Sequence, residues 1–162
     1  MNLGTHGQEF GKTVPERYNI RVYGVCLRSD GKVLLTDERR SGYPMTKFPG
    51  GGHDFGEGLA DALRREFLEE ADTEIEIRDL LYINDFLQIS AFNPKDQLLS
   101  VYYQVDLVGE LNAPTTDVAL DFGSDAGDVQ TFRWAALANL LEDELTFPVD
   151  KVVLGILKQR FL

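Results

Sequence analysis

The stretch GGHDFGEGLADALRREFLEEADT, residues 51–73, carries the strongest structural signal in this chain. Its first part is polar and rich in glycine, which is typical of a turn. Its second part, residues 58–71, has the apolar spacing that predicts a helix. Leu59 and Leu63 define the apolar face of that helix, because residues four apart lie on the same side. We therefore expect an amphipathic helix that packs on a core and follows a glycine turn.

The apolar stripe of this helix becomes acidic toward its C-terminal end. Glu66 and Glu70 continue the line of Leu63, and Glu69 lies beside them. Like charges at this spacing repel each other, so the carboxylates need basic partners or bound cations. Three carboxylates on one rigid scaffold suit a hard cation such as Mg²⁺ or Mn²⁺. A solvated acidic helix face is the alternative interpretation of the helix taken alone.

Residues on both sides of these carboxylates complete a longer pattern with fixed spacing. Its glycine, acidic, basic and bulky apolar positions are Gly51, Glu57, Arg65, Glu66, Phe67, Glu69 and Glu70. The pattern resembles the Nudix box, the signature loop and helix of the Nudix hydrolases. The preceding Phe48-Pro49-Gly50 is also similar to the segment that leads into that box.

The resemblance implies a chemistry and a set of roles. Nudix hydrolases cleave a phosphoanhydride bond in a nucleoside diphosphate linked to another moiety, by attack of a metal-activated water on phosphorus. By resemblance, Mg²⁺ or Mn²⁺ binds to Glu66, Glu69, Glu70 and the carbonyl of Gly50. One of the three glutamates, most naturally Glu66, would orient or deprotonate the water. The resemblance gives supporting roles in the catalytic set to Glu57 and Arg65.

The chain departs from the family pattern immediately after these glutamates. The family has glycine and an aliphatic residue where this sequence has Asp72 and Thr73. The glycine normally ends the helix in the left-handed conformation, which Asp tolerates better than most residues. The departure motivates an alternative function, a catalytically weak Nudix-like domain that binds nucleotides or regulates a partner.

Outside the pattern, basic and acidic residues suggest further contacts. Arg39, Arg40 and Lys47 flank the glycine loop and are candidates for binding the substrate phosphates. Asp125 and Asp128 lie in an acidic loop where some Nudix proteins carry an extra carboxylate ligand or base. Solvated loop charge is the simpler interpretation of that pair.

Composition limits the partners. The 162 residues fit one domain, and the net charge is −11. A surface of this sign repels nucleic-acid backbones and anionic membranes, so the expected partner is a small anionic nucleotide-like substrate. No apolar run approaches the roughly 20 residues that span a bilayer, and no signal peptide is evident, so we expect a cytoplasmic protein. A homodimer is compatible with the β-rich segments. The sequence leaves open which nucleotide derivative is cleaved.

The order of the predicted elements indicates the fold class. We expect an N-terminal arm over residues 1–17 and a single Nudix hydrolase domain over residues 18–162. Its architecture should be an α/β/α sandwich around a mixed, partly antiparallel sheet. The segments predicted as strands are 19–27, 33–36, 75–77, 80–89, 98–108 and 130–134. Residues 39–46 and 112–128 are predicted loops, and residues 135–142 and 149–161 are predicted helices.

Overall fold

A computed structural model describes residues 14–124 and 126–162. The predicted arm therefore lies largely outside the described residues. The strands are β1 (Arg17–Cys26), β2 (Lys32–Arg40), β3 (Tyr43–Lys47), β4 (Gly50–Gly52), β5 (Ile75–Ile83), β6 (Asp96–Leu107) and β7 (Val129–Ala136). The helices are α1 (Leu59–Ala71) and α2 (Pro148–Phe161), with a short 3₁₀ turn at Glu142–Glu144. No helix in the described ranges is long and apolar enough to cross a membrane.

The strands form two sheets. A four-stranded sheet has the order β4-β1-β6-β5, and a three-stranded sheet has the order β3-β2-β7. Strands β1 and β6 run parallel, whereas the other named pairs are antiparallel. The larger sheet is therefore mixed, as the sequence predicted. The β1–β6 ladder extends over the whole of β1, from Arg17 to Cys26.

Strand β1 supplies side chains to two cores because successive residues point to opposite faces. Val22 packs in a cluster with Leu63 and Phe67 of α1. Tyr23, the next residue, packs in a second cluster with Val153 of α2. The sheets thus lie between the two helices, which confirms the predicted α/β/α sandwich.

The prediction of a loop over residues 39–46 is wrong, because most of this segment forms a β-hairpin. Strand β2 continues to Arg40 and pairs with Tyr43 at the start of β3. Ser41 and Gly42 form the two-residue turn, and both have positive φ, 50° and 77°. Turns of this kind match the twist of an antiparallel pair. The Ser-Gly dipeptide was the signal for this hairpin.

Two other predicted boundaries were wrong. Residues 135–142 are not a helix, because Ala135 and Ala136 end β7 and pair with β2. Cross-strand pairing overrides the intrinsic helix preference of alanine there. The strand predicted over residues 80–89 ends at Ile83, and an irregular segment follows it.

Helix α1 ends as the departure from the family pattern suggested. Asp72 adopts the left-handed conformation, with φ 47° and ψ 39°. Its backbone N–H donates to the carbonyl of Leu68 at 3.1 Å, and the side-chain amide of Asn112 donates to its carbonyl at 2.6 Å. Thr73 is buried and its hydroxyl donates to the carbonyl of Ala71 at 2.8 Å. The irregular residues therefore close the helix in an ordered turn.

Helix α2 is tied to the sheet by a buried carboxyl group. Asp150, in the first turn of α2, is 1% exposed and accepts a hydrogen bond from the Tyr102 hydroxyl at 2.7 Å. Burial raises the pKa of Asp150 to about 7, although the bonds from Tyr102 and from the Phe48 backbone act in the opposite direction. The protonated form of this side chain is therefore favoured by folding.

Replacing Asp72 should show how much the free energy of unfolding is lowered by having Asp in place of the family's glycine. Glycine adopts the left-handed conformation without steric strain, so Asp72→Gly should raise the free energy of unfolding by about 1 kcal/mol. Asp72→Ala keeps the strain and should not stabilise the protein. Urea unfolding of the three proteins measures the difference. Equal stability of the Gly and Ala variants would contradict this explanation.

The buried Asp150 should make stability depend on pH. Its folded-state pKa lies above the unfolded value of 3.8, so its contribution is complete below about pH 4 and falls as pH rises toward 7. Asp150→Asn should remove this loss, which is on the order of 4 kcal/mol. Urea titrations from pH 4 to 8 would compare it with the wild type and with the exposed control Asp143→Asn. Parallel stability profiles of all three proteins would refute the assignment.

Candidate active site

Strand β4 brings bare glycine backbone against α1. Gly50 has φ 147°, and a Cβ atom there would overlap the backbone of Val22 on β1. A Cβ atom on Gly51 would overlap the side-chain carboxyl group of Glu66. The carboxyl group of Glu66 therefore lies directly on the backbone of β4, which is possible only because position 51 has no side chain.

Arg65 links the loop that follows β4 to helix α1. Its guanidinium forms a two-bond ion pair with Glu57, at 3.0 Å from Nε and 2.6 Å from Nη2. Nη2 also donates to the carbonyl of Gly52 at 2.9 Å. Glu57 accepts a further bond from the backbone N–H of Asp54 at 2.9 Å. The bonds from Arg65, followed by the one from Asp54, lower the pKa of Glu57 to about 2.

The same guanidinium also contacts two of the helix carboxylates. Nη1 of Arg65 lies 3.1 Å from Glu66 and 3.3 Å from Glu69. The Glu66 side chain is 11% exposed, whereas that of Glu69 is 59% exposed. Arg65 thus brings Glu57, Glu66 and Glu69 together. Glu66 is the inner member of this group and Glu69 lies at its outer edge.

Glu70 belongs to a second group of side chains, deeper along the helix. The side-chain amide of Gln130, on β7, donates to Glu70 at 3.0 Å and to Glu38 of β2 at 3.1 Å. Burial raises the pKa of Glu70, and the nearby positive charge of Lys47 partly offsets that rise. Gln130 therefore places carboxylates from a strand and a helix side by side.

Lys47 lies between this group and strand β4. Its ammonium group is 2.8 Å from Glu38 and donates to the carbonyl of Gly50 at 3.4 Å. Burial alone would lower the pKa of Lys47, but the adjacent carboxylate of Glu38 leads the interactions that raise it. The lysine therefore carries its charge into the interior of the site, next to the backbone carbonyl of Gly50.

The two arginines on β2 lie at the edge of the site. Arg39 and Arg40 line a shallow groove together with Glu70. Arg39 donates to the carbonyl of Gly127 at 3.1 Å, and Arg40 lies over the ring of Phe92 at 5.3 Å. Asp128 also lines this groove and accepts a bond from the backbone of Ser41. Asp125 lies outside the described residues.

The donor set is compatible with a hard divalent cation. Across residues 14–124 and 126–162, no three Asp, Glu, His or Cys side chains converge tightly enough to hold an ion as they stand. Glu66, Glu70 and the Gly50 carbonyl nevertheless offer oxygen ligands, the kind that Mg²⁺ prefers. The bare backbone at Gly51 lets one of these carboxylates reach the strand. The chemistry of these oxygen donors therefore suits such an ion.

A pocket opens beside the carboxylates. Glu38 and Lys47 line this pocket and also belong to the group of side chains around Glu70. The rest of the wall includes Gln88, Phe92, Tyr102, Phe147 and Asp150. The ring of Tyr102 stacks on that of Tyr23 with centroids 5.0 Å apart. Aromatic walls with a few polar groups are typical of pockets that take a flat organic moiety.

Sequence reasoning missed three of these positions. Glu38 lay beyond the predicted end of its strand, and the unrecognised Ser-Gly turn would have extended that strand through it. Gln130 and Gln88 carry no local signal, since each reaches the site through contacts with segments distant in sequence.

Comparison with known proteins places the fold and the site in context. The NUDIX domain model matches residues 17–154. The structure is similar to a NUDIX hydrolase from Nitrosomonas europaea, with TM-score 0.66 and 22% identity over 89% of this chain and 90% of the other. It is also similar to a MutT NUDIX hydrolase from Burkholderia pseudomallei, with TM-score 0.64 and 21% identity over 86% of this chain and 98% of the other.

A curated relative matches part of the sequence. Nucleoside diphosphate-linked moiety X motif 6 of Xenopus laevis is 39% identical over 67 residues, which is 41% of this chain. That stretch is 31% of the relative's length, so the likeness covers about a third of that protein. The family model, in contrast, extends over most of this chain. The chain therefore belongs to the NUDIX family.

Proposed function

We propose that this protein is a divalent-metal-dependent hydrolase that cleaves the phosphoanhydride bond of a nucleoside diphosphate linked to another moiety. The main support is the meeting of helix α1 and strand β4, where Glu66 lies on the backbone of Gly51. The name of the Xenopus relative, which refers to nucleoside diphosphate-linked moieties, agrees with this substrate class. Nucleotide sugars, dinucleoside polyphosphates, coenzymes and oxidised nucleotides all belong to it.

The proposed cofactor is Mg²⁺, or Mn²⁺ in its place. Glu66, Glu69, Glu70 and the carbonyl of Gly50 would hold it. When bound, such an ion supplies an activated water and neutralises charge on the diphosphate. Arg65 pairs with Glu66 and Glu69, and the positive charge of Lys47 acts on Glu70, so the two cations would keep the ligands close together before loading.

The protein's own residues would perform the remaining tasks. Glu66, packed against β4, would orient the attacking water or accept its proton. Arg39 and Arg40, on the groove that contains Glu70, would contact the phosphates, and Lys47 would do so from the interior. Glu57 would hold Arg65 in place. We further propose that residues 18–162 form the catalytic domain and that the protein acts in the cytoplasm.

Glu70 provides the direct test of the metal site. Glu70→Gln keeps the bond from Gln130 but removes the charge, so hydrolysis should fall by about 100-fold or more. Stability should not fall, because a desolvated charge near other carboxylates is removed. The exposed control Glu74→Gln should retain full activity. Product formation with Mg²⁺ or Mn²⁺, across the four substrate groups above, is the measurement.

Two outcomes would contradict this proposal. Full activity of Glu70→Gln would exclude Glu70 as a ligand. A folded wild-type protein that binds nucleotides but hydrolyses none of the panel would favour the alternative, a Nudix-like domain for nucleotide binding or regulation.

Adjacent glycines on β4 offer a steric test with a matched control. Gly51→Ala places a methyl group in the space occupied by the Glu66 carboxyl group, so it should lower kcat/KM by at least about tenfold. In Gly52→Ala the nearest atom, on Arg21, would be 3.8 Å away, an ordinary contact. That variant should stay within about twofold of the wild type. Equal activity of the two variants would show that the Gly51–Glu66 contact does not matter for hydrolysis.

A further inference from the structure

The pocket beside the carboxylates contains one polar group with an unmet bonding requirement. Gln88 is 8% exposed and lies in the irregular segment after β5, where its backbone carbonyl accepts a bond from Leu98 at 2.8 Å. Its side chain lines the pocket. Among the described residues, its Oε1 atom alone is a buried side-chain polar atom without a hydrogen-bond partner.

The lack of a partner is specific to this side chain and not to its surroundings. Asn84, four residues earlier, bonds to the carbonyls of Phe86 and Leu98 and accepts from the backbone of Ser100 at 2.7 Å. Asp150, elsewhere in the pocket wall, accepts from Tyr102. Leaving a buried acceptor unpaired destabilises the folded protein. A glutamine at this place is therefore best explained by a partner that arrives with a ligand.

The chemistry of that partner follows from the unpaired Oε1 atom of Gln88 and from the residues of the pocket wall. An amide oxygen accepts hydrogen bonds, so the ligand must bring a donor. Phe92 and Phe147 line the same pocket, which favours a flat ring.

We propose that Gln88 is a specificity-determining residue that accepts a hydrogen bond from an amino group on the heterocycle of the substrate. This inference rests on the proposed function for its placement, because Glu38 and Lys47 join the pocket to the carboxylates. A substrate with its diphosphate at Glu66 and Glu70 would extend its heterocycle into the pocket. Rings that lack the amino group would leave Gln88 unpaired and would bind less well.

The experiment compares ligands that differ only in that amino group. The first pair is AMP and the 5′-monophosphate of purine riboside; the second is CMP and the 5′-monophosphate of 2-pyrimidinone riboside. Titration calorimetry with Mg²⁺ present measures their dissociation constants. The wild type should prefer the amino form of at least one pair by about three- to tenfold. Gln88→Met, similar in length but without the amide, should abolish that preference and melt at the same temperature or higher.

Two further variants separate recognition from folding. Gln88→Glu keeps an acceptor oxygen and should retain the preference, while Gln88→Leu repeats the loss if the Met variant does not fold. Gln104→Met, on β6 outside the pocket, is the control and should bind as the wild type does. No measurable binding, equal binding within both pairs, or an unchanged preference in Gln88→Met would overturn the proposal. Monophosphates have no anhydride bond, so this experiment measures binding alone. Absence of hydrolysis in the substrate panel would count against the proposed function and would leave the binding result intact.

Discussion

The guanidinium of Arg65 is the interaction on which the site depends. It donates to Glu57 in the loop, to the Gly52 carbonyl in β4, and to Glu66 and Glu69 on its own helix. A planar cation with donors in a fixed fork can satisfy several oxygens at once, which an ammonium group cannot do as well. In a chain with net charge −11, this one cation concentrates carboxylates that would otherwise move apart. Arg65 thereby holds the loop, strand β4 and helix α1 together.

Sequence reasoning performed best where the signal was local. The helix over α1 followed from the spacing of Leu59 and Leu63, and its left-handed end followed from the conformational tolerance of Asp72. The reasoning failed where pairing between distant segments decides the structure. Ala135 has a helical preference but belongs to β7, because β2 offers it a partner strand. The hairpin at Ser41-Gly42 was missed although its dipeptide was visible in the sequence.

The same distinction applies within the site. The box glutamates were named from the sequence because they share one helix and one loop. Glu38, Gln130 and the pocket could not be named, because they meet these glutamates only after two sheets and two helices have packed. Proteins often draw binding groups from segments far apart in the chain, so a motif identifies the reaction class more readily than the substrate. On the proposed function, the residues that select the substrate would lie mainly outside the pattern that reveals the family.

Strand β1 has a consequence for how the molecule unfolds. Alternate residues of this one strand enter the two cores, Val22 on the α1 side and Tyr23 on the α2 side. A shift of one residue in its register would place each set of side chains in the wrong core and would disrupt the packing of both. Neither helix can therefore detach without weakening the support of the other. We expect amide hydrogen exchange in β1 and in its partner β6 to occur only through global unfolding, with the two layers behaving as one cooperative unit.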